Sequence, residues 1–211
     1  MTTHRINGLY AITPDEIDTS RLQCLVEAAL QGGASAIQYR NKSASPQLRF
    51  NQATGLLAIC RSHGVPLIIN DHLDLCLEVD AEGLHVGSED YAVDELAQIR
   101  ARLGSKKILG VSCYNRFDLA EQASAQGANY VAFGSCFASG TKPAAVNAPL
   151  NLFGRARDTL SIPAVAIGGI TVDNAPQVIN AGADAIAVIG ALFSASDISG
   201  TARQFSQLFY R

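Results

Sequence analysis

The chain has no run of basic residues and no basic stripe, although Lys and Arg together number 16. Its net charge is −3 and only 17% of its residues are charged. Such a balance argues against a nucleic-acid partner or an anionic membrane surface. The apolar runs Ser161–Val172 and Ala185–Ala195 contain glycine. Both are shorter than the roughly 20 residues that a spanning helix needs. The first residues, MTTHRINGLYAITPDE, carry no apolar stretch of the signal-peptide kind. The five cysteines (Cys24, Cys60, Cys76, Cys113 and Cys136) are an odd number with no C-x-x-C spacing. They read as reduced, small apolar fillers in a cytoplasmic protein.

Several chemical motifs are missing as well. G-x-G-x-x-G is absent, which argues against a dinucleotide fold. G-x-x-x-x-G-K-[ST] is absent, so nucleotide hydrolysis of that type is not indicated. With no H-E-x-x-H and no Cys/His cluster, zinc has no obvious ligands. There is no G-x-S-x-G elbow and no evident Cys/His or Ser/His pair for acyl transfer. No Pro/Gly/Ser-rich linker or shift in composition divides the chain. One domain over 1–211 is therefore expected, with 48% hydrophobic residues to build its core.

What is present is a repeated unit. Gln31–Arg40, Gln126–Gly134 and Ala181–Gly190 each read as a helix end stopped by glycine, followed by a short apolar run. Such runs mark strands buried on both faces. Weaker copies lie at Ser62–Asn70 and Leu103–Ser112. Strands are expected near 8–13, 36–40, 66–70, 83–87, 107–113, 130–135, 163–169 and 185–190, with helical patterns between them. The clearest helices are Val93–Leu103 and Leu119–Ala125, with Asp94, Asp118 and Asp173 near helix starts. Alternating strands and helices imply a parallel sheet. Eight units of roughly 25 residues favour closure into a compact α/β (β/α)8 TIM barrel over an open doubly wound sheet.

Chemistry in such barrels sits at the C-terminal ends of the strands. The second strand ends at Gln38, Tyr39, Arg40, Asn41 and Lys42. Gln38 and Arg40 share a face, and two cations without a nearby carboxylate suggest a polyanionic ligand. The third ends at Asn70-Asp71, which suits either a helix cap or oxygen ligation of a hard cation. His72 beside it is expected to be exposed or packed. The fourth runs into Asp90, within reach of Asp71; His85 in that strand reads as a satisfied wall residue. The fifth ends at Ser112-Cys113. The sixth leads into Cys136 and then Ser139-Gly140-Thr141-Lys142, a loop able to donate several hydrogen bonds to an anion. The seventh and eighth end at Gly168-Gly169 and Ile189-Gly190, where TIM barrels bind phosphate. Cations, carboxylates and glycine amides suit departure of a phosphate-type leaving group.

In order and at matching strand ends, these motifs resemble the thiamine-phosphate synthase family. The resemblance covers nearly the whole chain. It is carried by Gly8–Thr13, Gln38–Lys42, Asn70-Asp71, Gly83–Asp90, Thr141–Pro143 and Ala166–Ile170. It implies a TIM barrel that joins a hydroxymethylpyrimidine diphosphate to a thiazole phosphate. It also implies Mg²⁺ as cofactor and phosphorylated heterocycles as the small-molecule partners, and it leaves a homo-oligomer open. By resemblance, Gln38, Tyr39, Arg40, Asn41, Lys42, Asn70, Ser112 and Lys142 hold the pyrimidine diphosphate. Arg40, Lys42, Ser112 and Lys142 also act in catalysis. Asp71 and Asp90 bind Mg²⁺. Ser139, Gly140, Thr141, Gly169, Ile189 and Gly190 face the thiazole phosphate. Two positions depart from the pattern: Ser139 stands where threonine is common, and Gly190 where serine is common.

Three rival readings fit the sequence less well. A thiazole tautomerase on the same fold handles no diphosphate and has no need of Arg40, Lys42, Asp71, Asp90 and Lys142. A silent regulatory relative has no need to keep the set either. A sugar-phosphate isomerase or decarboxylase needs an acid/base pair that cannot be assigned.

Overall fold

The computed structural model describes residues 5–87, 95–138 and 148–210. Eight parallel strands close into a barrel in sequence order, β1 pairing with both β2 and β8. They are β1 (Gly8–Ile12), β2 (Ala36–Tyr39), β3 (Leu67–Asn70), β4 (Gly83–Gly87), β5 (Ile108–Tyr114), β6 (Tyr130–Phe133), β7 (Ala164–Ile167) and β8 (Ala185–Val188). Helices α1 (Thr19–Gln31), α2 (Pro46–Ser62), α3 (Leu73–Glu78), α4 (Glu95–Leu103), α5 (Phe117–Ala125), α6 (Asn151–Thr159), α7 (Ala175–Asn180) and α8 (Gly190–Phe193) follow the strands in turn, and α9 (Ile198–Gln207) comes last. Among the described residues no helix is long and apolar enough to cross a membrane.

The strands are mostly apolar because both faces are buried. One face, with Leu9, Ile37, Leu67, Leu84 and Val131, packs on the helices; the other, with Tyr10, Ile68, Ile108, Tyr130 and Val165, fills the barrel. The interior alternates large and small side chains. Tyr10 lies between Ala36 on one neighbour and Ala187 on the other. Gly110 stands beside Tyr130, and a Cβ there would collide with the phenol ring. A close-packed interior has no room for both.

Local signals start the first helices. Asp18 accepts from the amides of Ser20 and Arg21 at 2.9 and 3.1 Å. Ser45 caps α2, with Pro46 at its first turn. Helix α5 begins two residues before the expected Leu119 because Phe117 is buried against Phe133. Asp118 lies in its first turn, paired with Arg116. Asp94 lies outside the described residues, and Asn174, next to Asp173, is the cap of α7. Four cysteines are buried, but Cys24 is exposed on α1, which corrects the filler reading at that position. The helix turns it outward, away from the face that buries Leu22, Val26 and Ala29.

Candidate active site

Period-two alternation carries the barrel-facing pattern up to the mouth. Gln38, Asn70 and Ser112 stand two residues beyond Ala36, Ile68 and Gly110 on β2, β3 and β5. The register shifts just after Ser112, between Ser112 and Tyr114. Such an irregularity re-aims side chains at a strand end.

Beneath the mouth, polar groups cross the barrel in one chain. Gln38 Nε2 donates to Tyr10 Oη at 2.8 Å, and Tyr10 Oη meets Tyr130 Oη at 2.8 Å. Tyr130 Oη meets His85 Nδ1 at 2.8 Å, and His85 Nε2 meets Ser112 Oγ at 2.9 Å. The His85 ring stacks on Tyr130, centroids 5.6 Å apart. Burial pushes the His85 pKa down to about 4 and raises both phenols. All three rings are therefore neutral near pH 7.

The His85 pKa lies below its ordinary 6.5 in the folded state, so the unfolded chain takes up the proton first. Stability is full above pH 6.5 and falls as pH drops toward 4. The gap corresponds to roughly 3 kcal/mol. Urea unfolding at several pH values should show that His85→Gln removes about this much of the acid dependence. An identical pH slope in variant and parent would refute it.

At the end of β2, Arg40 Nη1 lies 3.3 Å from Asp15 Oδ1, and the same oxygen accepts the Lys42 amide at 3.1 Å. The expectation of two cations without a carboxylate is thus corrected, since the β1–α1 loop delivers one from 25 residues away. The pair is partly open to solvent, and a guanidinium has five N–H donors, so Arg40 keeps donors for a second anion. Tyr39 and Asn41 turn elsewhere. Tyr39 Oη donates to Gln52 Oε1 of α2 at 2.8 Å. Asn41 Nδ2 donates to Gln52 Oε1 and to the Glu16 carbonyl at 3.1 and 2.7 Å. Their side chains brace the loop rather than face the mouth.

At the end of β3, Asp71 has φ 62° and its amide donates to the His85 carbonyl at 2.8 Å. That left-handed turn is uncommon outside glycine and clusters at functional sites. Asn70 Nδ2 donates to Asp71 Oδ2 at 2.6 Å. His72 caps α3 without a side-chain bond and is exposed, as expected; its ring meets Arg49 Nη1 at 2.7 Å. Oxygen donors thus dominate this strand end, which fits a hard cation better than a soft one. Asp90 lies outside the described residues.

The far side of the mouth is apolar. Ile12, Ile167 and Ile189 from β1, β7 and the end of β8 belong to the interior cluster. Above them Gly168 and Gly169 have φ 100° and 63°. A Cβ on Gly168 would strike Ser135, and one on Gly169 the carbonyls of Phe137 and Ala138. Those residues start the β6–α6 loop, pinned by Cys136 N and Phe137 N donating to the carbonyls of Ile167 and Gly168 at 2.9 and 3.0 Å. Gly190 opens α8, whose first amides have no helical acceptor. Ser139, Gly140, Thr141 and Lys142 lie outside the described residues.

From residue 9 to residue 192 the sequence matches the family described as thiamine monophosphate synthase. The chain belongs to the thiamine-phosphate synthase family. It is 57% identical to the thiamine-phosphate synthase of Methylobacillus flagellatus over 99% of this chain and 100% of that one. With the synthase of Nitrosomonas eutropha it shares 53% identity over 97% and 95%. Among solved structures, the thiamine phosphate pyrophosphorylase from Pyrococcus furiosus superposes with a TM-score of 0.83 at 31% identity, covering 95% of this chain and 94% of that one. The activity is that of a thiamine-phosphate synthase, a transferase. A 3-hexulose-6-phosphate synthase superposes with a TM-score of 0.70 at 18% identity, and shares the fold alone.

Residue-by-residue reading of the sequence missed Tyr10, Tyr130 and Asp15. Tyr10 and Tyr130 could have been found as phenols at inward positions of otherwise apolar strands, with Gly110 vacating space for one of them. Asp15 had no local signal.

Proposed function

We propose that the mouth joins 4-amino-2-methyl-5-hydroxymethylpyrimidine diphosphate to the phosphate ester of a hydroxyethylthiazole, plain or carboxylated, and releases diphosphate, together with CO2 from the ring carboxylate when the thiazole is carboxylated. The supporting observation is the division of the mouth. Amide, hydroxyl, cation and carboxylate come from β2 to β5, while an apolar wall and glycine backbone come from β7 and β8. One side suits the charged leaving group and its pyrimidine. The other suits a flat heterocyclic ring with a single phosphate.

The exocyclic C–O bond of the pyrimidine breaks, with its electron pair leaving on diphosphate. The aminopyrimidine stabilises the cation that develops. The thiazole nitrogen then forms the C–N bond with its own lone pair, so no general base is needed. Arg40, Lys42 and Lys142 neutralise charge growing on the departing group. Gln38, Asn70 and Ser112 orient the pyrimidine diphosphate. Ser139, Gly140, Thr141, Gly169, Ile189 and Gly190 hold the thiazole phosphate, and the two rings held face to face need little further reorganisation. Asp71 and Asp90 would hold Mg²⁺, which supplies charge neutralisation at the diphosphate when bound. The unpaired cysteines suit a reducing cytoplasm.

Mass spectrometry with both heterocycles and Mg²⁺, each left out in turn, tests the reading. Thiamine phosphate should appear only in the complete mixture. An isomerised thiazole phosphate with no coupled product would favour a tautomerase instead.

Gly190 has room for a side chain. Its φ is not in the left-handed region, and a Cβ there would meet no atom within 4 Å. Gly190→Ser should therefore fold normally and add a hydroxyl donor at the start of α8. The thiazole KM is expected to fall about two- to tenfold or stay level. A marked rise in KM with an unchanged melting temperature would remove Gly190 from the phosphate site.

A further inference from the structure

The polar chain inside the barrel has a direction. Gln38 Nε2 donates to Tyr10 Oη, so the single Tyr10 proton goes to its other partner, Tyr130 Oη. Tyr130 then has its own proton to give, and His85 Nδ1 stands 2.8 Å away to accept it. An accepting ring nitrogen carries no proton, so a neutral His85 has its proton on Nε2. That proton points at Ser112 Oγ, 2.9 Å away. Ser112 becomes an acceptor toward His85, and its own hydroxyl proton is turned away from the ring. With the opposite tautomer, Ser112 would donate to Nε2, and a ligand at the mouth would meet lone pairs instead of a proton.

We propose that His85 is a positioning residue: locked in the Nε2–H tautomer by the Tyr10–Tyr130 pair, it makes Ser112 a donor to an acceptor atom of the pyrimidine diphosphate. The proposal rests on the reading of Ser112 as a contact of that substrate. It gives the buried phenols a purpose that packing alone does not require, since Phe would fill the same space. It also ties Gln38 on β2 to Ser112 on β5 across the barrel, so that two mouth residues are polarised by one network.

The tautomer is measurable without turnover. Long-range ¹H–¹⁵N spectra of histidine-labelled protein should show His85 neutral with its proton on Nε2. In Tyr130→Phe the ring should lose that preference. In kinetics, Tyr130→Phe should lower kcat/KM for the pyrimidine diphosphate about tenfold. In a Ser112→Ala background the same change should have no further effect, whereas a purely structural role for the phenol would leave the two losses multiplying. Should Tyr130→Phe fail to fold, His85→Gln and His85→Leu answer the same question. The carboxamide can still donate to Ser112, so Gln should stay within about threefold of the parent while Leu falls to the Ser112→Ala level. A wild-type His85 protonated on Nδ1, multiplying losses, or a Gln variant as poor as Leu would overturn the proposal. Should Ser112→Ala be kinetically silent while the Nε2–H tautomer is observed, the fault lies in the substrate role of Ser112 and not in the direction of the chain.

Discussion

Stripping divalent ions from the protein with EDTA is expected to abolish product formation, and Mg²⁺ is expected to restore it. The leaving diphosphate gains negative charge as the C–O bond stretches. Arg40, whose guanidinium is already paired with Asp15, is not expected to neutralise it alone. Two unit charges about 4 Å apart interact by roughly 4 kcal/mol near a protein surface, and a divalent ion roughly doubles that. Losing even half of it slows the reaction on the order of 10³-fold. Asp71→Asn should behave in the same way. Asn is nearly isosteric and tolerates the left-handed backbone found at Asp71, so the fold should survive. Circular dichroism and melting temperature check that survival, and discontinuous product assays check the loss. Undiminished turnover after thorough chelation would dispose of the metal assignment.

Lys142→Ala should lower the single-turnover rate by roughly 10²-fold or more, the scale of a lost electrostatic stabiliser. The reason is timing. Lys142 is proposed to act on charge that grows during reaction, so its contribution is larger in the transition state than in the bound ground state. Thr141, its neighbour in sequence, is proposed to hold a phosphate whose charge does not change. Thr141→Ala should therefore raise the thiazole KM, at about 1–3 kcal/mol for a hydrogen bond to a charged group, and spare the chemical step. Rapid-quench kinetics on the two variants separates the roles. A Lys142→Ala defect confined to KM, with Thr141→Ala abolishing chemistry at saturation, would reverse the assignment.

The strands were legible because burial on both faces leaves a largely apolar run, and each of the eight observed strands falls within a residue or two of its expected place. Helix starts were less so. Asp118 resembles a cap, yet Phe117 before it is drawn into the helix by its contact with Phe133, a long-range effect that local residue types do not encode. At the mouth, alternation places Gln38, Asn70 and Ser112 on the inward face, so those positions were readable from spacing. Tyr39 was caught in the same run of letters but faces α2, because one step along a strand reverses the side. The chain from Tyr10 through Tyr130 to His85 depends on three strands meeting at one depth. Spacing within one strand gives the face of a residue but not the neighbours it meets across the barrel. Asp15 and the left-handed turn at Asp71 are likewise products of the closed structure.

The glycines at the far side of the mouth have unequal freedom to change. Gly168 and Gly169 are barred twice from acquiring a side chain, by their positive φ and by the loop starting at Ser135 packed against them. A mutation there would need a second, compensating change in that loop, and the single-step intermediate would be defective. Gly190 is barred by neither condition. Evolutionary drift along this glycine-lined edge is thereby channelled through one position, where, if the proposed phosphate site is right, affinity can be tuned one substitution at a time while the neighbouring backbone stays fixed.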